Sequence, residues 1–150
     1  MKVRFKKIDK NAIMARYNHA TDSGIDFFAL DDGEVLPETT KMVRTGLAWE
    51  PEKIHEFKTL LKIEGRSGLG SKGIDVFGGV VDQDYRGEIK IILHNSQKGI
   101  KGTDAGVFRY NRGDKVAQGI IHLIPDVQIE EAVEIDETDR GEKGFGSSGK

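Results

Sequence analysis

The stretch Ile74-Asp75-Val76-Phe77-Gly78-Gly79-Val80-Val81-Asp82-Gln83-Asp84-Tyr85-Arg86-Gly87-Glu88-Ile89-Lys90-Ile91-Ile92-Leu93 decides the fold. Two apolar, β-branched runs, Ile74 to Val81 and Glu88 to Leu93, flank a polar turn, which reads as strands around a hairpin-like segment. Gly78-Gly79 falls inside the first run, and a glycine there marks a bulge or a close backbone approach. Outward from this stretch the period stays near two. Val3 and Phe5 alternate with Lys2, Arg4 and Lys6, and Ile8 follows less cleanly, as a half-buried first strand. Asp26 to Leu30, Val43 to Trp49, Phe57 to Ile63 and Val116 to Ile124 read as further strands, and Val127 to Ile135 as a late one. No segment carries the ~3.6-residue apolar stripe of an amphipathic helix. Strands divided by turn signals predict an all-β chain, a β-sandwich or barrel. A β domain over residues 1–135 followed by a flexible C-terminal arm, 136–150, is the expected organisation.

Composition narrows the function. The 150 residues suit one domain with a real core. With 23 basic and 25 acidic residues the net charge is −2, unlike the basic excess of a duplex nucleic-acid binder. A few placed cations can still hold a small anionic ligand. The chain has no cysteine, so disulfides and thiolate metal sites are excluded. No apolar run approaches the ~20 residues of a membrane span, and the first residues lack a signal-peptide core. A cytoplasmic protein with no membrane partner is expected, or one of the host cytoplasm or nucleus if the source is viral. The four histidines, His19, His55, His94 and His122, are dispersed without metal-ligand spacing.

The end of the chain, Arg140-Gly141-Glu142-Lys143-Gly144-Phe145-Gly146-Ser147-Ser148-Gly149-Lys150, is too glycine-rich to hold a shape alone. Its side chains nonetheless suit a nucleotide. Arginine forks onto phosphate, serines donate to it, and phenylalanine stacks on a base.

Four clusters precede this arm: Ala20-Thr21-Asp22-Ser23-Gly24-Ile25-Asp26-Phe27-Phe28-Ala29, Gly65-Arg66-Ser67-Gly68-Leu69-Gly70, Gly79 to Lys90, and Arg112-Gly113-Asp114-Lys115-Val116-Ala117-Gln118. With the arm they form five motifs in order over nearly the whole chain. In this the sequence resembles the trimeric deoxyuridine triphosphatase (dUTPase) family. The resemblance implies a jelly-roll-like homotrimer that hydrolyses dUTP to dUMP and pyrophosphate with Mg²⁺. Such an enzyme keeps uracil out of DNA and supplies dUMP for dTMP synthesis. It further implies active sites at subunit interfaces, each closed by a C-terminal arm.

Residue by residue, the resemblance makes Asp82 the catalytic carboxylate that activates water for attack on the α-phosphorus. Tyr85 would pack under the deoxyribose and leave no room for a 2′-hydroxyl. Gly79, Val80, Val81 and Lys90 would meet uracil, whose pattern of donors and acceptors is opposite to that of cytosine. Arg66, Ser67 and Gly68 match a phosphate grip, with Gly65 where the family usually has proline. Gln118 matches a phosphate contact. Asp26 matches a residue holding the metal's water shell, with no direct side-chain ligand expected. Arg140, Phe145, Gly146, Ser147 and Ser148 complete the substrate set. Asp22 reads as a turn cap, and Asp84 is left between a direct role and a loop cap. Many bacterial members carry an asparagine near Val76; Ile74-Asp75-Val76-Phe77-Gly78-Gly79 is instead similar to the eukaryote- and virus-like pattern, so no single side-chain contact to uracil is assigned there. Two alternatives remain: a dCTP deaminase-type enzyme on the same fold, and a non-catalytic nucleotide-binding regulator.

Overall fold

The computed structural model describes residues 1–142. The strands are β1 Val3–Lys7, β2 Ile25–Phe28, β3 Gly33–Val35, β4 Thr40–Arg44, β5 Leu47–Pro51, β6 Phe57–Glu64, β7 Ile74–Phe77, β8 Val80–Asp82, β9 Lys90–Asn95, β10 Phe108–Tyr110 and β11 Lys115–Pro125. One single-turn helix, α1 Ser67–Gly70, interrupts them. A four-stranded sheet in the order β2-β11-β6-β8 faces a three-stranded sheet in the order β4-β9-β7. Two-stranded ribbons, β1-β5 and β3-β10, complete a jelly-roll-like sandwich. Every pairing is antiparallel.

Alternation builds the core. Thr59, Leu61 and Ile63 of β6 are buried while Leu60, Lys62 and Glu64 turn outward. On the opposing sheet Ile91, Leu93 and Asn95 of β9 are buried. Phe27, Leu47, Trp49 and Ile74 join them in one apolar cluster. Each such side chain stabilises the fold by about 1.5–3 kcal/mol relative to exposure. Asn95 is one of four buried polar residues among those described, with Asp26, Thr45 and Thr59, and its side chain is satisfied. Its Nδ2 donates to Val35 O at 2.9 Å and to Gly106 O at 2.7 Å, and its Oδ1 accepts from Gln97 N at 3.0 Å.

Three expectations change. The run Val43 to Trp49 is two strands, because the chain leaves one sheet for the β1-β5 ribbon at Thr45-Gly46. Gly46 takes a left-handed φ of 68° there. The buried Thr45 hydroxyl donates to Ile89 O at 2.5 Å in place of a ladder bond. The run Ile74 to Val81 is likewise split, with β7 on the three-stranded sheet and β8 on the four-stranded one. Gly79 makes the expected close approach: a Cβ there would lie 2.1 Å from Ile63 O. The late strand over Val127 to Ile135 does not form. The last strand ends at Pro125, and Val127, Ile129, Val133 and Ile135 keep their alternation but stand exposed, Val133 to 99%. No strand edge within the described residues receives them.

Candidate active site

The turn after β8 is held rigid by its own polar groups. Tyr85 N donates to Asp82 O at 3.1 Å, and Arg86 Nη1 donates to Gln83 O at 2.6 Å and Tyr85 O at 3.2 Å. Thr59 N donates to Gln83 Oε1 at 3.0 Å, which ties the turn to β6. The Tyr85 phenol folds back over Gly87 and donates to Glu88 O at 3.1 Å. Glu88 in turn accepts from Gly46 N at 2.9 Å and pairs with Arg44 at 3.2 Å, which raises the Arg44 pKa. These bonds fix Asp82 at the lip of an open cleft of about 360 Å³. Val80, Val81, Tyr85 and Lys90 line it, with Met42, Gly78 and Ile92. Volume and mixed lining suit a nucleoside. Asp84 is exposed and lies outside this lining.

A second cleft, about 550 Å³ and more polar, lies on the other side of β6. Gln118 pairs across β11 and β2 with Asp26. Arg66 follows β6 in extended conformation, φ −98° and ψ 138°, just before α1. Its guanidinium pairs with Asp26 Oδ1, while Lys115 Nζ pairs with Asp26 Oδ2 at 2.7 Å. Gln118 Nε2 donates to Gly65 O at 2.8 Å and braces the loop that carries Arg66. Ser67 lines the cleft, and Gly68 beside it is exposed. Asp22 caps a turn, accepting from His19 N at 2.9 Å, and that bond holds its carboxyl below the usual range.

The expected residues thus gather in two groups rather than one. Asp82, Tyr85, Lys90, Val80 and Val81 line the first cleft, with Gly79 adjacent to them in the chain but outside the lining; Asp26, Arg66, Ser67 and Gln118 line the second. The two clefts share no lining residue. Asp82 sits opposite Leu60 on one flank of β6, and Gln118 sits opposite Glu64 on the other. Four residues at about 3.3 Å and two strand spacings of about 4.8 Å put them about 16 Å apart. Arg66 also turns toward β2, away from β8.

Arg140 lies in an exposed turn near the end of the described residues. Phe145, Gly146, Ser147 and Ser148 lie outside them. Lys115 is the site residue that the sequence reading quoted without assigning a role.

A dUTPase family model matches residues 10–149. The chain belongs to the dUTPase family. A deoxyuridine 5'-triphosphate nucleotidohydrolase of Wolinella succinogenes is 40% identical over 153 residues, spanning 100% of this chain and 95% of its own. Among solved structures, a Staphylococcus bacteriophage 80alpha dUTPase variant with dUpNHpp superposes with a TM-score of 0.84 at 26% identity, covering 99% and 98% of the two chains. A phage phi11 dUTPase variant, whose structure concerns coordination of a structural Mg(II) ion, superposes at 0.77 and 25% identity over 91% of this chain and 100% of its own. Family membership accounts for the all-β architecture.

The donor set can be tested against a metal. Among the described residues no group of three or more His, Cys, Asp or Glu converges. Asp26 offers hard oxygens, but two cations already hold them. Such a set offers no cage for a bare cation and is compatible with Mg²⁺ carried mainly by substrate phosphates and water.

Proposed function

We propose that the chain hydrolyses dUTP to dUMP and pyrophosphate in sites that each combine the Asp82 cleft of one chain with the Arg66 cleft of another. The observation that carries this is the separation of the two clefts. A water held by Asp82 must attack the same α-phosphorus whose oxygens the phosphate grip neutralises. One chain holds the Asp82 and Gln118 strand positions about 16 Å apart, with Arg66 turned toward Asp26. A homotrimer brings them together and gives the exposed apolar stripe Val127, Ile129, Val133 and Ile135 a neighbour to cover it.

In this reading Asp82 orients the water and takes its proton as the oxygen attacks in line. The bond between the α-phosphorus and the oxygen bridging to the β-phosphate breaks, and pyrophosphate leaves. Arg66, Ser67, Gly68 and Gln118 hold the phosphate oxygens. Bound Mg²⁺ would neutralise those oxygens, with Asp26 holding its water shell. Tyr85 closes the sugar pocket against a 2′-hydroxyl. The backbone of Gly79, Val80 and Val81, with Lys90, reads uracil. Residues 136–150 form the lid: Arg140, Ser147 and Ser148 meet phosphate, Gly146 allows close approach, and Phe145 covers the base.

Pyrophosphate release across dUTP, dCTP, dTTP and UTP, with ammonia release from dCTP, tests the activity. Turnover of dUTP alone is expected. Equal turnover of UTP, or ammonia from dCTP, would overturn the assignment.

A further inference from the structure

We infer that Lys115 is a positioning residue of the phosphate grip, brought there by a β-bulge, and that it frees Arg66 to move from Asp26 to the triphosphate. The inference rests on reading the second cleft as the phosphate site.

The placement comes from strand register. Gln118 pairs with Asp26, Ala117 with Phe27, and Lys115 with Phe28, so β11 carries one residue more than β2 between those rungs. In a regular ladder, side chains alternate faces, and position 116 would share the face of Gln118. The extra residue resets that parity. Lys115 now projects on the side of Asp26 and Gln118, while Val116 is 1% exposed in the core. Bulges beside active sites re-aim side chains in this way.

The consequence is electrostatic. Asp26 is 6% exposed and faces two cations. Arg66 holds Oδ1. Lys115 Nζ holds Oδ2 at 2.7 Å and also donates to Asn18 Oδ1 at 3.1 Å, which anchors the ammonium from a second side. The three charges sum to +1, so an arriving phosphate is attracted. When Arg66 turns to it, Asp26 keeps a partner. Without Lys115, the same movement would strand a buried carboxylate, which is strongly unfavourable. Arg66 would then stay on Asp26, and the phosphates would lose their fork.

Calorimetric titration of the full-length protein with dUpNHpp, the non-hydrolysable imido analogue, and with dUMP tests this. Lys115→Met should weaken dUpNHpp binding about 10- to 100-fold, as loss of one charged partner does. It should change dUMP binding less than about threefold, since dUMP lacks the outer phosphates. Lys115→Arg should restore dUpNHpp affinity to within about threefold of wild type. Asp26→Asn combined with Lys115→Met should regain part of the affinity lost in Lys115→Met, because the carboxylate that retains Arg66 is gone. Equal loss for both nucleotides, no rescue by arginine, or unchanged dUpNHpp binding in Lys115→Met would each overturn the inference. Wild-type protein that binds no dUpNHpp would instead overturn the phosphate-site reading beneath it.

Discussion

Two glycines of the candidate site should respond in opposite ways to the same added methyl. In Gly79→Ala the new Cβ would stand 2.1 Å from Ile63 O, a backbone atom inside β6 that has little freedom to retreat. Gly79 O also accepts from Ile63 N at 2.7 Å, so relief of the clash breaks a buried bond. Overpacking costs about 1–3 kcal/mol and the lost hydrogen bond about 1 kcal/mol, giving about 2–4 kcal/mol in all. For a chain of this length that lowers Tm by about 5–15 °C. Val80 to Asp82 follow directly, so dUTP turnover should fall as well. In Gly68→Ala nothing lies within 4 Å of the added atom, and stability should stay within about 0.5 kcal/mol of wild type. Its kcat/KM for dUTP should nevertheless drop about tenfold or more, because the methyl meets the phosphates or the next chain. Scanning calorimetry and a pyrophosphate-release assay on both variants separate the effects. A Gly79→Ala protein as stable as wild type, or a fully active Gly68→Ala protein, would refute the reasoning.

Other expectations concern the same site. Asp82→Asn should cut turnover about 10²–10⁴-fold while dUpNHpp affinity, measured by calorimetry, changes little. Tyr85→Ala should narrow the gap in kcat/KM between dUTP and UTP, read by parallel steady-state kinetics. Removal of residues 140–150 should leave the thermal transition of the β body in place and lower activity sharply, and Phe145→Ala should weaken substrate binding by about 1–3 kcal/mol. Burial raises the Tyr110 pKa above 10.0, so this group's contribution is intact below that pH and lost as pH rises through the folded value. Tyr110→Phe should therefore lessen the alkaline fall in stability seen by circular dichroism.

The parts of the fold that alternation could show were those with one clear inner face. β6 and β9 place Leu61 and Leu93 inward, and their sequences read so directly. What alternation could not show was a change of sheet. Thr45-Gly46 breaks Val43 to Trp49 without any proline or polar cluster to announce it, because a threonine hydroxyl replaces the missing ladder bond. The short β3 and β10 were too brief to carry a pattern. Val127 to Ile135 has a strand's alternation, but pattern alone supplies no edge to pair with. At the site, Asp82, Tyr85 and Lys90 were readable as one group because they share a turn and its flanking strands. Lys115 was hidden by the bulge: a strict period of two puts it on the face opposite Gln118, and only the register shows that the two point the same way.

On the proposed arrangement each active site takes Asp82 from one chain and Arg66 from another, so two variants, Asp82→Asn and Arg66→Ala, are mixed, unfolded jointly and refolded. Random assembly into trimers gives about one site in four with both residues intact, so about a quarter of wild-type dUTP turnover should return. Mixtures no more active than the separate variants would contradict a site shared between chains.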